Sequence, residues 1–96
     1  MACYVISNRI LARYNVFKIG HTKLPPQNLR RSYQRYLFDA TILLYYETPT
    51  HAYDEKILLK KLSKHRLINS RDRVTEWLHI EYPVLKSVMD DYFNKY

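Results

Sequence analysis

Two mainly apolar runs near the amino terminus have the composition of β-strands. Residues 2–7 (ACYVIS) are rich in β-forming residues and end at Ser7-Asn8, a pair that favours a turn. Residues 14–20 (YNVFKIG) have the same character, so we predict a hairpin whose strands are joined by residues 8–13. The run at 39–47 (DATILLYYE) is largely apolar between polar residues, which is typical of a buried central strand.

Apolar residues at spacings of three and four then predict three helices. The first follows Pro25-Pro26 and has an apolar stripe of Leu29, Tyr33, Tyr36 and Leu37. The second begins with Thr48 or Thr50 as N-cap and runs to the basic residues 64–66. The third begins near Pro83, and its inward-facing residues are Val84, Leu85, Val88, Met89, Tyr92 and Phe93.

Two segments between the last helices are less regular. Residues 68–73 (INSRDR) form a polar loop, and residues 74–80 (VTEWLHI) form a short strand or a packed connection. The resulting order is β-β-α-β-α-(β)-α, without repeats or linkers. It predicts one α/β (α+β) domain over residues 1–96.

The charge is large and unevenly distributed. Sixteen Lys and Arg residues face nine Asp and Glu residues, a net charge of +7. Residues 1–75 carry +9 (14 basic, 5 acidic), and residues 76–96 carry −2 (2 basic, 4 acidic). This asymmetry favours a nucleic-acid partner, and the alternative is that the charge only aids solubility.

The cysteine content and the hydropathy indicate the cellular environment expected for the protein. Cys3 is the only cysteine, so an intramolecular disulfide and a cysteine zinc site are excluded, and a reduced, intracellular setting is expected. No apolar run has the length of a signal peptide core or a membrane span, so we expect no membrane association.

Glu55 is the most unusual residue of the helical patterns. On the second helix its neighbours are mostly apolar, and a carboxylate there is costly to bury unless it is paired or binds a metal. The structural alternative is an edge position at which Glu55 meets Lys56, Lys60 or a distant arginine. The histidines at 21, 51, 65 and 79 lack the spacing of a metal site, and a single glycine, Gly20, excludes a glycine-rich phosphate loop.

Five short motifs, in order, resemble the GIY-YIG endonuclease superfamily. They are CYVIS on the first strand, FKIGHT on the second, arginines on the next helix, AYDEKILLKKL on a later helix and EWL beyond it. The chain is most similar to the phage and large-virus branch, in which K-I-G-x-T replaces the usual second motif. The resemblance covers about residues 3–80 and implies a small, three-stranded, mainly antiparallel sheet flanked by helices.

The resemblance also implies the members of an active site. Tyr4 matches the first-motif tyrosine, Lys18 stands at the second-motif tyrosine, and His21 follows the motif glycine, Gly20. Either Arg30 or Arg31 is the family arginine. Glu55 is the metal ligand for Mg²⁺ or Mn²⁺, and Glu76 of EWL is expected to be structural.

These residues are expected to hydrolyse a DNA phosphodiester. Tyr4 orients or deprotonates the attacking water, Lys18 or His21 assists it, and an arginine offsets charge on the phosphate. The residues expected to contact DNA are Lys18, Lys23, Arg30, Arg31 and Arg35. DNA structure, an accessory recognition partner or homodimerisation would supply specificity.

The chain departs from the family pattern at two points, which keeps an alternative open. Residues 2–4 (ACY) lack the glycine and isoleucine of the first motif, and the closing asparagine has only Asn69 as a counterpart. An inactive nucleic-acid-binding module of the same fold is therefore the second hypothesis. A protein-interaction domain whose charge only aids solubility is the third.

The position of Gly20 is itself informative. At the end of a strand and before the Pro25-Pro26 turn, a glycine permits a change of backbone direction. Within the resemblance, the missing side chain would leave room for a phosphate or a metal beside Lys18 and His21.

Overall fold

Five strands form one antiparallel sheet in the computed structural model, which describes residues 1–94. In the sheet they lie in the order β3-β1-β2-β5-β4, and every neighbouring pair is antiparallel. Their bounds are β1 Ala2–Ser7, β2 Val16–Thr22, β3 Thr41–Glu47, β4 Arg66–Ile68 and β5 Val74–His79. The predicted α+β class and hairpin are confirmed, and the predicted strand count of three is wrong.

Four helices connect or follow these strands. They are α1 Arg9–Arg13, α2 Pro26–Tyr33, α3 His51–Lys61 and α4 Tyr82–Phe93, with a short 3-10 turn at Ser63–His65. The connection predicted for residues 8–13 is thus helical, because the Asn8 side chain accepts a hydrogen bond from the Leu11 amide and caps α1. Helix α3 ends at Lys61, before the predicted basic terminus at residues 64–66.

The two additional strands come from the segment that we predicted as a polar loop and an undecided connection. Ile68 pairs with Val74 across a β4–β5 hairpin. Asn69 closes its turn by accepting hydrogen bonds from the backbone amides of Arg71 and Arg73. Strand β4 has three residues, which is too short for an alternation pattern to reveal it.

Strand β3 lies at the edge of the sheet, and the prediction of a buried central strand there is wrong. Strand β1 occupies the centre between β2 and β3, and all six of its residues are buried. Residues of β3 alternate between exposed and half-buried over its first half. Some apolar residues of β3, such as Leu43, are therefore partly exposed to solvent.

The sheet has a hydrophobic core on each face. On one face Val5, Phe17 and Ile19 pack with residues of α3 and α4, including Leu58 and Leu85. On the other face Tyr4 and Ile6 pack with Leu29 and Tyr33 of α2 and with Leu37. Alternate residues of β1 thus face α2 or the α3–α4 layer.

Two predicted core residues lie in solvent. Tyr36 is 73% exposed because α2 ends at Tyr33 and the following turn directs Tyr36 outward. Val84 of α4 is 47% exposed, whereas Leu85 and Met89 of the same helix are fully buried. No helix within residues 1–94 is long and apolar enough to cross a membrane.

Candidate active site

Tyr4, Lys18 and Tyr33 form a hydrogen-bonded group on the α2 face of the sheet. The hydroxyl oxygens of Tyr4 and Tyr33 are 2.6 Å apart. The Lys18 Nζ donates to the Tyr33 hydroxyl at 2.8 Å and lies 5.3 Å from the centroid of its ring. Tyr33, which the spacing assigned to packing, is therefore the residue that joins Tyr4 to Lys18.

Gly20 provides the space that the Tyr4 ring occupies. Tyr4 pairs with Gly20 across β1 and β2, and a Cβ at position 20 would overlap the hydroxyl and ring carbons of Tyr4. Gly20 lies within β2 and does not have a positive φ. Both sequence interpretations of this glycine are thus corrected: it permits no change of direction, and the space beside it holds the Tyr4 ring.

Glu55 is buried on α3 and has two polar neighbours. Its Oε2 is hydrogen-bonded to Nδ1 of His21 on β2, and the carboxyl of Glu76 on β5 lies beside it. Burial and Glu76 raise the pKa of Glu55, and His21 opposes them. Glu55 is therefore paired, although with His21 and Glu76 in place of the lysines suggested by its sequence neighbours.

The group around Tyr33 and the group around Glu55 each have one member on β2, Lys18 and His21 respectively. Strand β2 pairs with β5 only from Val16 to Lys18, and β1 alone pairs with it beyond that point. Burial raises the pKa of Tyr4, with further contributions from Tyr33 and from the charges of Glu55 and Glu76. The carboxyls are thus close enough to act on the Tyr4 hydroxyl electrostatically, without a direct hydrogen bond to it among the described residues.

The predicted arginines occupy two different environments. Arg30 donates from Nε to the Ala40 carbonyl at 3.1 Å, so it fastens α2 to the segment before β3. Arg31 and Arg35 are exposed and line a surface groove on α2. Lys23 is also exposed, between β2 and α2. None of these four side chains is hydrogen-bonded to Tyr4 or Glu55 within residues 1–94.

His51 joins the site although its sequence spacing gives no indication of it. Its ring lies 5.0 Å from that of His21, centroid to centroid. Its Nδ1 is buried and has no hydrogen-bond partner in the described part of the chain, and its carbonyl accepts from the Cys3 thiol. Burial, followed by the charges of Asp54 and Glu55, raises the pKa of Cys3 to about 12, so the thiol stays protonated.

Glu76 and Tyr33 are the residues that sequence reasoning assigned to structural roles. The resemblance placed Glu76 in a recurrent motif, but nothing in its spacing from Glu55 shows that β5 brings the two carboxyls together. Asn69, the candidate for the family asparagine, instead organises the β4–β5 turn.

The donor chemistry around Glu55 is compatible with one divalent cation. No group of three or more His, Cys, Asp and Glu side chains within residues 1–94 forms a metal cage. Magnesium, however, needs only one or two carboxylates because it keeps several water ligands. The carboxyl of Glu76 beside Glu55 supplies a second oxygen donor of this kind.

Comparisons with known proteins leave the family open. No family model matches the chain, and no curated protein or solved structure resembles it significantly.

Proposed function

We propose that the protein is a metal-dependent endonuclease that hydrolyses DNA phosphodiester bonds, as the resemblance to the GIY-YIG superfamily implies. One structural observation is the main support for this proposal. A phenol–lysine group (Tyr4, Tyr33 and Lys18) and the buried Glu55, with the half-buried Glu76 beside it, are both joined to β2, the first through Lys18 and the second through His21. Metal-dependent phosphodiester hydrolysis uses hydrogen-bond donors, a cation and a carboxylate metal ligand at one site.

The metal in this proposal is Mg²⁺ or Mn²⁺, held by Glu55 with Glu76 as its neighbour. When bound, it would polarise the phosphate and offset the charge of the leaving oxygen. Lys18 adds a positive charge beside the Tyr33 hydroxyl. In the reaction, the water oxygen bonds to phosphorus and gives up one proton, the bond from phosphorus to the leaving oxygen breaks, and that oxygen takes up one proton.

Tyr4 acts in this scheme as a hydrogen-bond donor or as a group that orients water. Its raised pKa keeps the phenol protonated at neutral pH, so it is poorly suited to removing a proton from water. His21 is the better candidate for proton transfer, since its ring is half-exposed and hydrogen-bonded to Glu55. This changes the roles that the resemblance suggested for the two residues.

A nucleic-acid-binding module without turnover is the second candidate. It is favoured by the same protonated state of Tyr4 and by the engagement of Arg30 with a backbone carbonyl. Its surface would be the same basic one, around Lys23, Arg31 and Arg35. Binding and cleavage therefore need to be measured separately.

The experiment is a nicking assay on supercoiled plasmid with Mg²⁺ or Mn²⁺. We expect the wild type to relax the plasmid, EDTA to abolish this, and Glu55→Gln to lower the rate by about 100-fold or more. Glu47→Gln is the matched control, because Glu47 is an exposed carboxylate on β3. It should cleave like the wild type.

Three outcomes separate the hypotheses. Nicking that survives Glu55→Gln, or that both variants lose equally, contradicts the proposed role of Glu55. Salt-sensitive DNA binding by the wild type without nicking in either metal supports the binding module. Absence of both binding and nicking contradicts the nucleic-acid hypothesis altogether.

A further inference from the structure

The outward face of α2 forms a shallow groove beside the candidate site. The groove has a volume of about 420 Å³ and is lined by Asn28, Arg31, Ser32, Arg35 and Tyr36. Asn28, Arg31 and Ser32 belong to α2, and Arg35 and Tyr36 belong to the turn that follows it. The opposite face of α2 packs on the sheet through Leu29 and Tyr33.

The charge around this groove is of one sign. Residues 23–38 contain four Lys and Arg residues and no Asp or Glu. Arg30 is directed to the Ala40 carbonyl, which leaves Arg31 and Arg35 as the cations of the groove. Two guanidinium groups that line the same groove are suited to bind phosphate oxygens.

An exposed aromatic ring lies in the same groove. Tyr36 is 73% exposed, and its ring makes a T-shaped contact with that of Tyr33, with centroids 5.5 Å apart. The contact holds the Tyr36 ring in place while most of its surface stays accessible. Rings of this kind, combined with arginines, are how proteins bind the bases of unpaired strands.

We infer that this groove binds a nucleotide of an unpaired DNA strand, with its base stacked on Tyr36 and its phosphate on Arg31 and Arg35. A base inside a duplex is already stacked on its neighbours, so only an unpaired base can offer a face to Tyr36. The inference rests on the proposed function in that Tyr36 contacts Tyr33, which is bonded to Tyr4 and Lys18. It identifies the substrate class as DNA with single-stranded character.

The test measures binding by fluorescence anisotropy in EDTA, so that cleavage plays no part. The probes are a labelled oligothymidylate, the same strand with abasic sites in place of thymidines, and a blunt duplex with a matched number of phosphates. We expect the wild type to prefer the oligothymidylate. Tyr36→Ala should weaken that binding by about 5- to 100-fold and should leave duplex binding within about twofold.

Three controls separate stacking from charge and from folding. Tyr36→Phe keeps the ring and should bind like the wild type. Tyr14→Ala removes a similarly exposed tyrosine after α1, 69% exposed, and should have no effect. The abasic strand should bind the wild type about as weakly as the oligothymidylate binds Tyr36→Ala, and Tyr36→Ala should weaken it no further.

Several results would overturn the inference. They are equal losses on oligothymidylate and duplex, no difference between Tyr36→Ala and Tyr14→Ala, and wild-type binding that ignores the removal of bases. Because these assays contain no metal, they remain informative if the protein proves unable to cleave. If the protein prefers unpaired DNA in a manner that depends on the Tyr36 ring but does not nick DNA, the groove is supported as a binding site and the endonuclease proposal is contradicted.

Discussion

At the scale of single residues, Gly20 is explained by the ring of one partner, Tyr4. Alanine at position 20 would overlap the Tyr4 hydroxyl and ring carbons, while the backbone of Gly20 would accept a side chain because its φ is not positive. The buried Tyr4 ring is rigid, and it is held by Tyr33. The requirement for glycine therefore depends on the tyrosine.

Gly20→Ala should lower the free energy of unfolding by about 1–3 kcal/mol, since overpacking forces a buried ring out of position. In a Tyr4→Leu background the same change should cost much less or even stabilise, because leucine lacks the overlapping atoms and alanine restricts the unfolded chain more than glycine does. Urea unfolding followed by the fluorescence of Trp77, the only tryptophan, measures both. Equal costs in the two backgrounds would contradict the explanation.

The candidate site also shows how far residue-scale prediction from sequence extends. Glu55 stood out because a carboxylate on an apolar helix face needs a partner, and it is buried with His21 and Glu76 beside it. Tyr33 did not stand out, because helical spacing places its ring in the core without showing what its hydroxyl meets. Glu76 and His51 reach the site only through sheet pairing and helix packing, which local patterns do not encode.

At the scale of elements, the predictions were good where a repeating pattern was long enough. Strands β1 and β2 were located by runs of β-forming residues, and helices α2, α3 and α4 by helical spacing or by capping residues. Strand β4 was missed because its three residues are ordered by pairing with β5. The edge position of β3 was missed because an apolar run indicates a strand without indicating its neighbours.

The start of α3 is held by one buried carboxylate. Asp54 accepts hydrogen bonds from the hydroxyls of Thr48, Thr50 and Tyr92, the last of which connects α3 to α4. Burial alone would raise the pKa of Asp54, but the hydrogen bonds from Thr48, Tyr92 and Thr50 outweigh it and lower the pKa. The ionised form of Asp54 therefore stabilises the folded state.

Asp54→Asn should lower the free energy of unfolding by about 1–3 kcal/mol at pH 6. Because the folded-state pKa lies below the unfolded value of about 3.9, this contribution is complete above that value and is lost as the pH falls through the folded pKa. Wild type and variant should thus converge in acid. Urea unfolding at several pH values measures the difference, with Asp91→Asn on the exposed face of α4 as control. If the difference in unfolding free energy between wild type and Asp54→Asn did not change with pH, the ionised Asp54 carboxylate could not be its origin.

At the scale of the whole molecule, the distribution of charge is relevant to how DNA would be held. The +9 charge of residues 1–75 lies on several elements, so net charge alone predicts similar effects from removing any two cations. A localised interface predicts that binding changes only when the cations within it are removed. Arg31 and Arg35 lie beside the candidate site, whereas Lys60 and Lys61 are exposed in the last turn of α3.

The salt dependence of duplex binding distinguishes these two descriptions. Each phosphate contact contributes about one unit to the slope of log K against log salt concentration. Arg31→Ala/Arg35→Ala should therefore reduce the steepness of the slope by about one to two units. Lys60→Ala/Lys61→Ala, which lowers the net charge equally, should leave the slope nearly unchanged. Anisotropy titrations from low to moderate salt measure both slopes.

Equal slopes for the two double variants would mean that DNA is attracted by the overall charge, and the assignment of the interface to α2 would then be wrong.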